Sequence, residues 1–276
     1  MAALPESQRA GVVIASDRMR QHHPLWPQLL RQDDTTAGFY TSHDARGWVA
    51  AAIRDAISDR LNVIFDTASD DPARVRQIIG QFREGGYGVD MAFVSTASPV
   101  SRLSVLARYQ AERDATGGGR YVDNPDTSHP GVLDTAAMVD QHRLADTVTV
   151  YSRSGQVYRN ELGVDGRWAG PPGTAAAIEV ERGRTWTRAE SENFYRTAAG
   201  LSQRMEKGWR PVIADILRAA QPLTHPSVVL RQDTRADQAA RKAFRPEPPT
   251  KPSPQAIPRS GRTSRREPDR SPEAEP

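Results

Sequence analysis

The sequence predicts an α/β fold, a parallel sheet with helices on both faces, and three observations carry that expectation. Short apolar runs at residues 10–17, 61–66 and 88–95 read as strands buried on both sides. Segments with helical spacing of apolar residues alternate with them, and right-handed crossovers place such helices over the sheet. Two of the runs end in a carboxylate, Asp17 and Asp66. The carboxyl ends of parallel strands are where sheets of this kind bind ligands.

The elements follow in order. Residues 1–9 read as the remnant of a helix leading into the first strand, Gly11-Val12-Val13-Ile14-Ala15-Ser16 up to Asp17. Trp48, Ala52, Ile53, Ala56 and Ile57 give residues 44–60 one apolar helical face, with Ser42 or His43 as the expected cap. After the strand ending at Asp66, Asp70-Asp71-Pro72 opens a helix through Val75, Ile78, Ile79 and Phe82 that stops at Gly85-Gly86. A third strand spans 88–95, and Leu103, Leu106 and Ala107 make 99–113 helical. Residues 133–144 read as helix and 147–151 as strand, with Ser154-Gly155 turning the chain into a hairpin. Beyond it, 188–200 and 201–219 read as two helices, the second interrupted at Trp209-Arg210-Pro211.

Composition sets the outer limits. No stretch approaches the ~20 apolar residues that cross a bilayer, and the first ten residues lack the apolar run of a secretory signal. There is no cysteine, which excludes disulfides, thiolate zinc sites and a thiol nucleophile; the cytoplasm is the expected compartment. Residues 231–276 hold eleven Lys or Arg against seven Asp or Glu, so the rest of the chain is close to neutral. Nine prolines after Ala243 and almost no apolar residues give that tail the composition of a disordered segment, one that can make weak, salt-sensitive contact with nucleic acid. The six histidines show no ligand spacing, so no metal site is expected from them.

The ordered set Val13-Ile14-Ala15-Ser16-Asp17-Arg18-Met19-Arg20, His23-Pro24, Asn62-Val63-Ile64-Phe65-Asp66-Thr67, Gly86-Tyr87, Arg108-Tyr109 and Arg120 resembles the zeta-toxin family over residues 11–158. That resemblance implies a P-loop-kinase-like sheet and an ATP- and Mg²⁺-dependent kinase of a toxin–antitoxin system that phosphorylates UDP-N-acetylglucosamine. An antitoxin protein is the implied partner. Carried over by position, Asp17 matches the general base, Arg108 and Arg120 the pair facing the nucleotide and the migrating phosphoryl group, and Arg20, Asp44, Asp66 and Thr67 the substrate contacts. The residue types suit the chemistry. An ionised carboxylate needs only hydrogen-bond reach to the hydroxyl it deprotonates, and fixed guanidinium forks stabilise a phosphoryl group in flight. Gly117-Gly118-Gly119 would put Arg120 on a closing loop.

Departures from the family pattern are as clear. Asp44 and Asp66 stand where the family has glutamates, and Thr67-Ala68 displaces its substrate threonine. The three lysines, Lys207, Lys242 and Lys251, all lie far downstream, so no G-x-x-x-x-G-K-[ST] phosphate cradle exists in these 276 residues. A first strand and phosphate loop would be expected before Gly11, and without them the expectation is little or no kinase activity. The expected organisation is a kinase-like domain over 1–158, a hairpin and helical extension over 159–230, and the tail over 231–276. Other readings stay open at this point: Asp17 as a loop cap, Arg108 and Arg120 as surface charges in an arginine-rich chain, a non-catalytic remnant that binds a nucleotide sugar or an antitoxin, or an accessory protein whose tail touches DNA.

Overall fold

The computed structural model describes residues 11–121 and 128–228, all within one compact unit running from Met1 to Gln232. The expected helix remnant at 1–9 and the tail at 231–276 lie outside the described residues.

The architecture is α/β, with parallel strands flanked by helices. β1 (Val12–Ala15) lies parallel to β2 (Val63–Asp66), pairing Val12 with Val63 and Ala15 with Asp66. β3 (Asp90–Val94) lies parallel to β4 (Thr147–Ser152), and β5 (Gly155–Glu161) returns antiparallel to β4 around the expected turn. Among the described residues the strands form two sheets, β1-β2 and β3-β4-β5, instead of one. β4 is central to its sheet, and Val148 and Val150 are wholly buried, which is why this run carries so little polarity.

Among the described residues, seven helices precede β4: α1 (Ser16–Arg20), α2 (Trp26–Gln32), α3 (Ala37–Tyr40), α4 (Ser42–Ser58), α5 (Pro72–Glu84), α6 (Ser98–Thr116) and α7 (Ser128–His142). Three more follow β5: α8 (Thr174–Gly183), α9 (Arg188–Arg204) and α10 (Arg210–Ala220). α5 joins the two sheets. Its Val75 and Ile79 pack with Phe93, Val148 and Val150, while its Phe82 packs with Ile14, Val49 and Ile53. The Asp71 carboxylate caps it by accepting from Arg74 N at 3.1 Å, worth about 1 kcal/mol, and Pro72 sits where its missing N–H is harmless. At the other end Arg83 makes a two-pronged fork on Asp146, at 2.9 and 2.7 Å, and Val89 N donates to the same carboxylate. The Arg83 bond is the leading reason that the Asp146 carboxyl is held below its ordinary range.

A third apolar cluster sets α6 against the C-terminal helices. Leu103, Leu106 and Tyr109 pack on Trp186, Phe194, Leu201, Ile213 and Ile216. Residues 159–228 are thus part of the same compact unit as the strands.

Several elements differ from the expectation. Asp17 lies in the first turn of α1 and not in the strand, because β1 ends two residues earlier. α4 begins at Ser42 behind Thr41, whose side chain makes no cap hydrogen bond and instead donates to Ala37 O. The C-terminal pair breaks at Met205, where the backbone is extended, and Pro211 starts α10 instead of interrupting a helix. α2, α3 and α8 were not expected: the first two span only seven and four residues, too short for an apolar period to register.

Candidate active site

The carboxyl edge of β1 and β2 and the end of α6 meet around one carboxylate. Asp17 forms a close ion pair with Arg120 Nη1 and a longer one with Arg20 Nη1 at 3.4 Å. Asp17 is half exposed, whereas the Arg120 side chain is only 9% exposed. A buried guanidinium is costly without a partner, and Asp17 is that partner.

Arg120 is delivered by the glycine triplet. α6 ends on Gly117 in the left-handed region, φ 80°, and Gly118 and Gly119 carry the chain back along the helix. A Cβ on Gly119 would sit 2.4 Å from Tyr109 O, so only glycine fits there. Two carboxylates hold the triplet. Asp34 Oδ2 accepts from Gly119 N at 3.1 Å, and Glu112 Oε2 accepts from Arg120 N at 2.7 Å. The other Asp34 oxygen accepts from Tyr109 OH at 3.0 Å, and Arg113 donates to the same hydroxyl at 3.1 Å. Burial first, then the Asp34 bond, pushes the Tyr109 phenol up to about 12, so it remains a neutral donor.

Positive charge gathers around this pair. Arg20 has its pKa lowered by burial, with Arg120 and Arg46 adding repulsion and Asp17 opposing it. Its Nε is buried with no partner among the described residues. Arg108 is exposed by area, yet the packing around it, followed by the charge of Arg120, holds its pKa down. It makes no hydrogen bond among the described residues. The charge of Arg120 thus bears on both Arg20 and Arg108, and that of Arg46 on Arg20, with Asp17 offsetting both and Glu112 offsetting Arg108. Crowded cations with unused donors favour a multiply charged anion.

The remaining expected substrate residues lie around this cluster without joining it. Asp44, in the first turn of α4, is hydrogen-bonded to His23 Nε2 at 2.9 Å. His23 Nδ1 accepts from Leu25 N, which fixes Nε2 as the protonated nitrogen aimed at Asp44. Trp48 lies over the same ring, 5.8 Å away. Asp66 pairs in register with Ala15, one strand across from the cluster, and both it and Thr67 are exposed without side-chain partners among the described residues. Sequence reasoning missed Asp34, Arg46 and Glu112. Only Glu112 carried a signal, sitting one helical turn after Arg108.

The sequence profile described as Zeta toxin matches residues 2–163. Toxin PezT of Streptococcus pneumoniae is 24% identical over 153 residues, covering 54% of this chain and 58% of that protein. The chain thus spans less than two thirds of that curated relative. A solved chain from the PezAT chromosomal toxin–antitoxin system of the same organism superposes with a TM-score of 0.61 at 19% identity, covering 73% of this chain and 79% of that one, which is a likeness of fold.

Proposed function

This chain belongs to the zeta-toxin family, kinase-like toxins of toxin–antitoxin systems, and from that premise we propose that its cationic cluster receives the phosphate groups of a UDP-sugar phosphorylation reaction, with UDP-N-acetylglucosamine as acceptor and ATP as donor. One observation carries the reading: Arg120, buried and fixed by its own backbone, is paired to Asp17, and its charge bears on Arg108, whose donors are unbonded among the described residues.

In this reading Asp17 takes the proton of the sugar hydroxyl, being half exposed at the sheet edge and within reach of an incoming group. Arg120 and Arg108 bind the migrating phosphoryl group and stabilise the charge that spreads over its oxygens. When a phosphoryl oxygen enters between them, Arg120 exchanges the Asp17 carboxylate for phosphate, and Asp17 turns to the hydroxyl. Arg20, whose Nε has no partner among the described residues, and Asp44, aimed by His23, orient the acceptor; Asp66 and Thr67 lie one strand across for its far end.

The guanidinium cluster fits ATP's phosphate charge. Mg²⁺ is different: among the described residues no three His, Asp or Glu side chains converge to hold an ion, so no step here runs through it. With no G-x-x-x-x-G-K-[ST] motif in these 276 residues, the polypeptide alone transfers little phosphate. The test is transfer from labelled ATP to UDP-N-acetylglucosamine by the chain and by Asp17→Asn. Transfer well above background, abolished by Asp17→Asn, overturns the low-activity expectation and upholds the site.

A second reading, binding without turnover, is favoured by the Asp17–Arg120 contact, which occupies the base with the phosphoryl clamp. Calorimetry separates the two: UDP-N-acetylglucosamine binding without ATP binding supports it. An antitoxin partner and a cytoplasmic setting follow from the family; no described helix is long and apolar enough to cross a membrane.

A further inference from the structure

A cavity of about 370 Å³ lies beside α6, between the end of β3 and residues 181–197 of the C-terminal helices. Half of its lining residues lie beyond residue 163, outside the span that the family profile matches, and none belongs to the Asp17 cluster. Its size is that of a small-molecule site.

The lining is chemically divided. Val100 and Leu103 of α6 contribute apolar surface together with Trp186 and Phe194, whose rings are 4.9 Å apart at 51°. On one wall Arg184 commits its donors to Glu181, at 2.9 Å, and to both oxygens of Glu190, at 2.8 and 2.5 Å. This triad carries one excess negative charge and offers an anion no anchor. At the β4–β5 turn Arg153 is different. It reaches only Ser104 Oγ, at 2.9 Å, and has no carboxylate partner among the described residues. Asn193, on the rim, keeps both ends of its carboxamide unbonded among the described residues.

We propose that this cavity binds a nucleotide, with its base on the Trp186–Phe194 side, the base edge on the Asn193 amide and the phosphate on Arg153. A carboxamide presents a donor beside an acceptor, the pattern a base edge complements. Aromatic surface suits a flat heterocycle, and an uncompensated guanidinium suits a phosphate. The excess negative charge of the Glu181–Arg184–Glu190 wall keeps the phosphate at the Arg153 end. The site stands apart from the phosphoryl-transfer reading and does not depend on it.

Isothermal titration of the full chain with adenosine 5′-monophosphate, uridine 5′-monophosphate and adenosine tests the assignment. The expected result is that at least one monophosphate binds, and that Arg153→Ala weakens it about tenfold or more while changing adenosine affinity less than about twofold. Asn193→Ala weakens nucleotide and nucleoside alike. Both Arg153 and Asn193 are exposed, so their variants keep the fold, and an unchanged melting temperature verifies this. A preference for either nucleotide upholds the site and assigns its base. Absence of binding at millimolar nucleotide overturns the proposal, as does binding lost in Arg108→Ala but kept in Arg153→Ala, which would place the ligand on the guanidinium cluster.

Discussion

Gly119 carries more of the site than any charged residue beside it. The 2.4 Å approach of a would-be Cβ to Tyr109 O leaves no room for alanine, and the obstacle is backbone. Gly119→Ala is expected to cost about 1–3 kcal/mol in urea unfolding and to move Arg120 off Asp17, weakening UDP-N-acetylglucosamine binding with it. Asp34→Asn tests the same support more gently. It retains one acceptor oxygen for Tyr109 or Gly119 but not for both, with Arg113 losing the Asp34 carboxylate 3.6 Å away and keeping Glu206 at 3.1 Å. A loss of roughly 1–2 kcal/mol is expected, checked by the urea midpoint. The sequence made Asp17, Arg108 and Arg120 visible because their spacing follows a family pattern. It could not show Asp34, since a carboxylate in an unpatterned loop has no period, and its three partners lie some 75 to 85 residues away.

At the level of single elements, α9 offers the clearest pH dependence. Thr187 and Glu190 form a reciprocal capping box, and Arg184 grips the Glu190 carboxylate. That grip, the largest influence, lowers the Glu190 pKa from 4.5 to about 2. Since the folded value lies below the unfolded one, the stabilisation is complete above about 4.5 and is lost as pH falls toward about 2. Between pH 5 and 2.5 the chain should therefore lose more stability than Glu190→Gln does, as read by denaturant midpoints at each pH. Elements announced by caps and apolar period were legible: Asp71-Pro72 marked the start of α5, and the Ser154-Gly155 turn marked the hairpin. α3 was not, because four residues leave no period to read. The sequence reading ended the first C-terminal helix at Gly200, whereas α9 runs through that glycine to Arg204, and a Cβ there would meet nothing within 4 Å.

For the whole molecule, the apolar side of α6 is covered by elements outside the family match. Leu106 and Tyr109 are each 1% exposed, and their neighbours Phe194, Leu201, Ile213 and Ile216 all follow residue 163. A chain ended at residue 163 is expected to lose its cooperative melt by circular dichroism and to expose this surface to a dye such as ANS. Leu106→Ala in the full chain is expected to cost about 2–5 kcal/mol in chemical denaturation. The α/β class was readable from alternation, but the division into two sheets was not, since apolar runs say that strands are buried without saying which strands pair. That division leaves β2 and β3, the strands on either end of α5, each at the border of its sheet, with no strand on the second side among the described residues. Borders of this kind recruit extended peptides, so the molecule's association with itself or with foreign chains should rise with concentration. Light scattering across a dilution series would follow that tendency, and a lysine introduced at Ala92 on the β3 rim should blunt it.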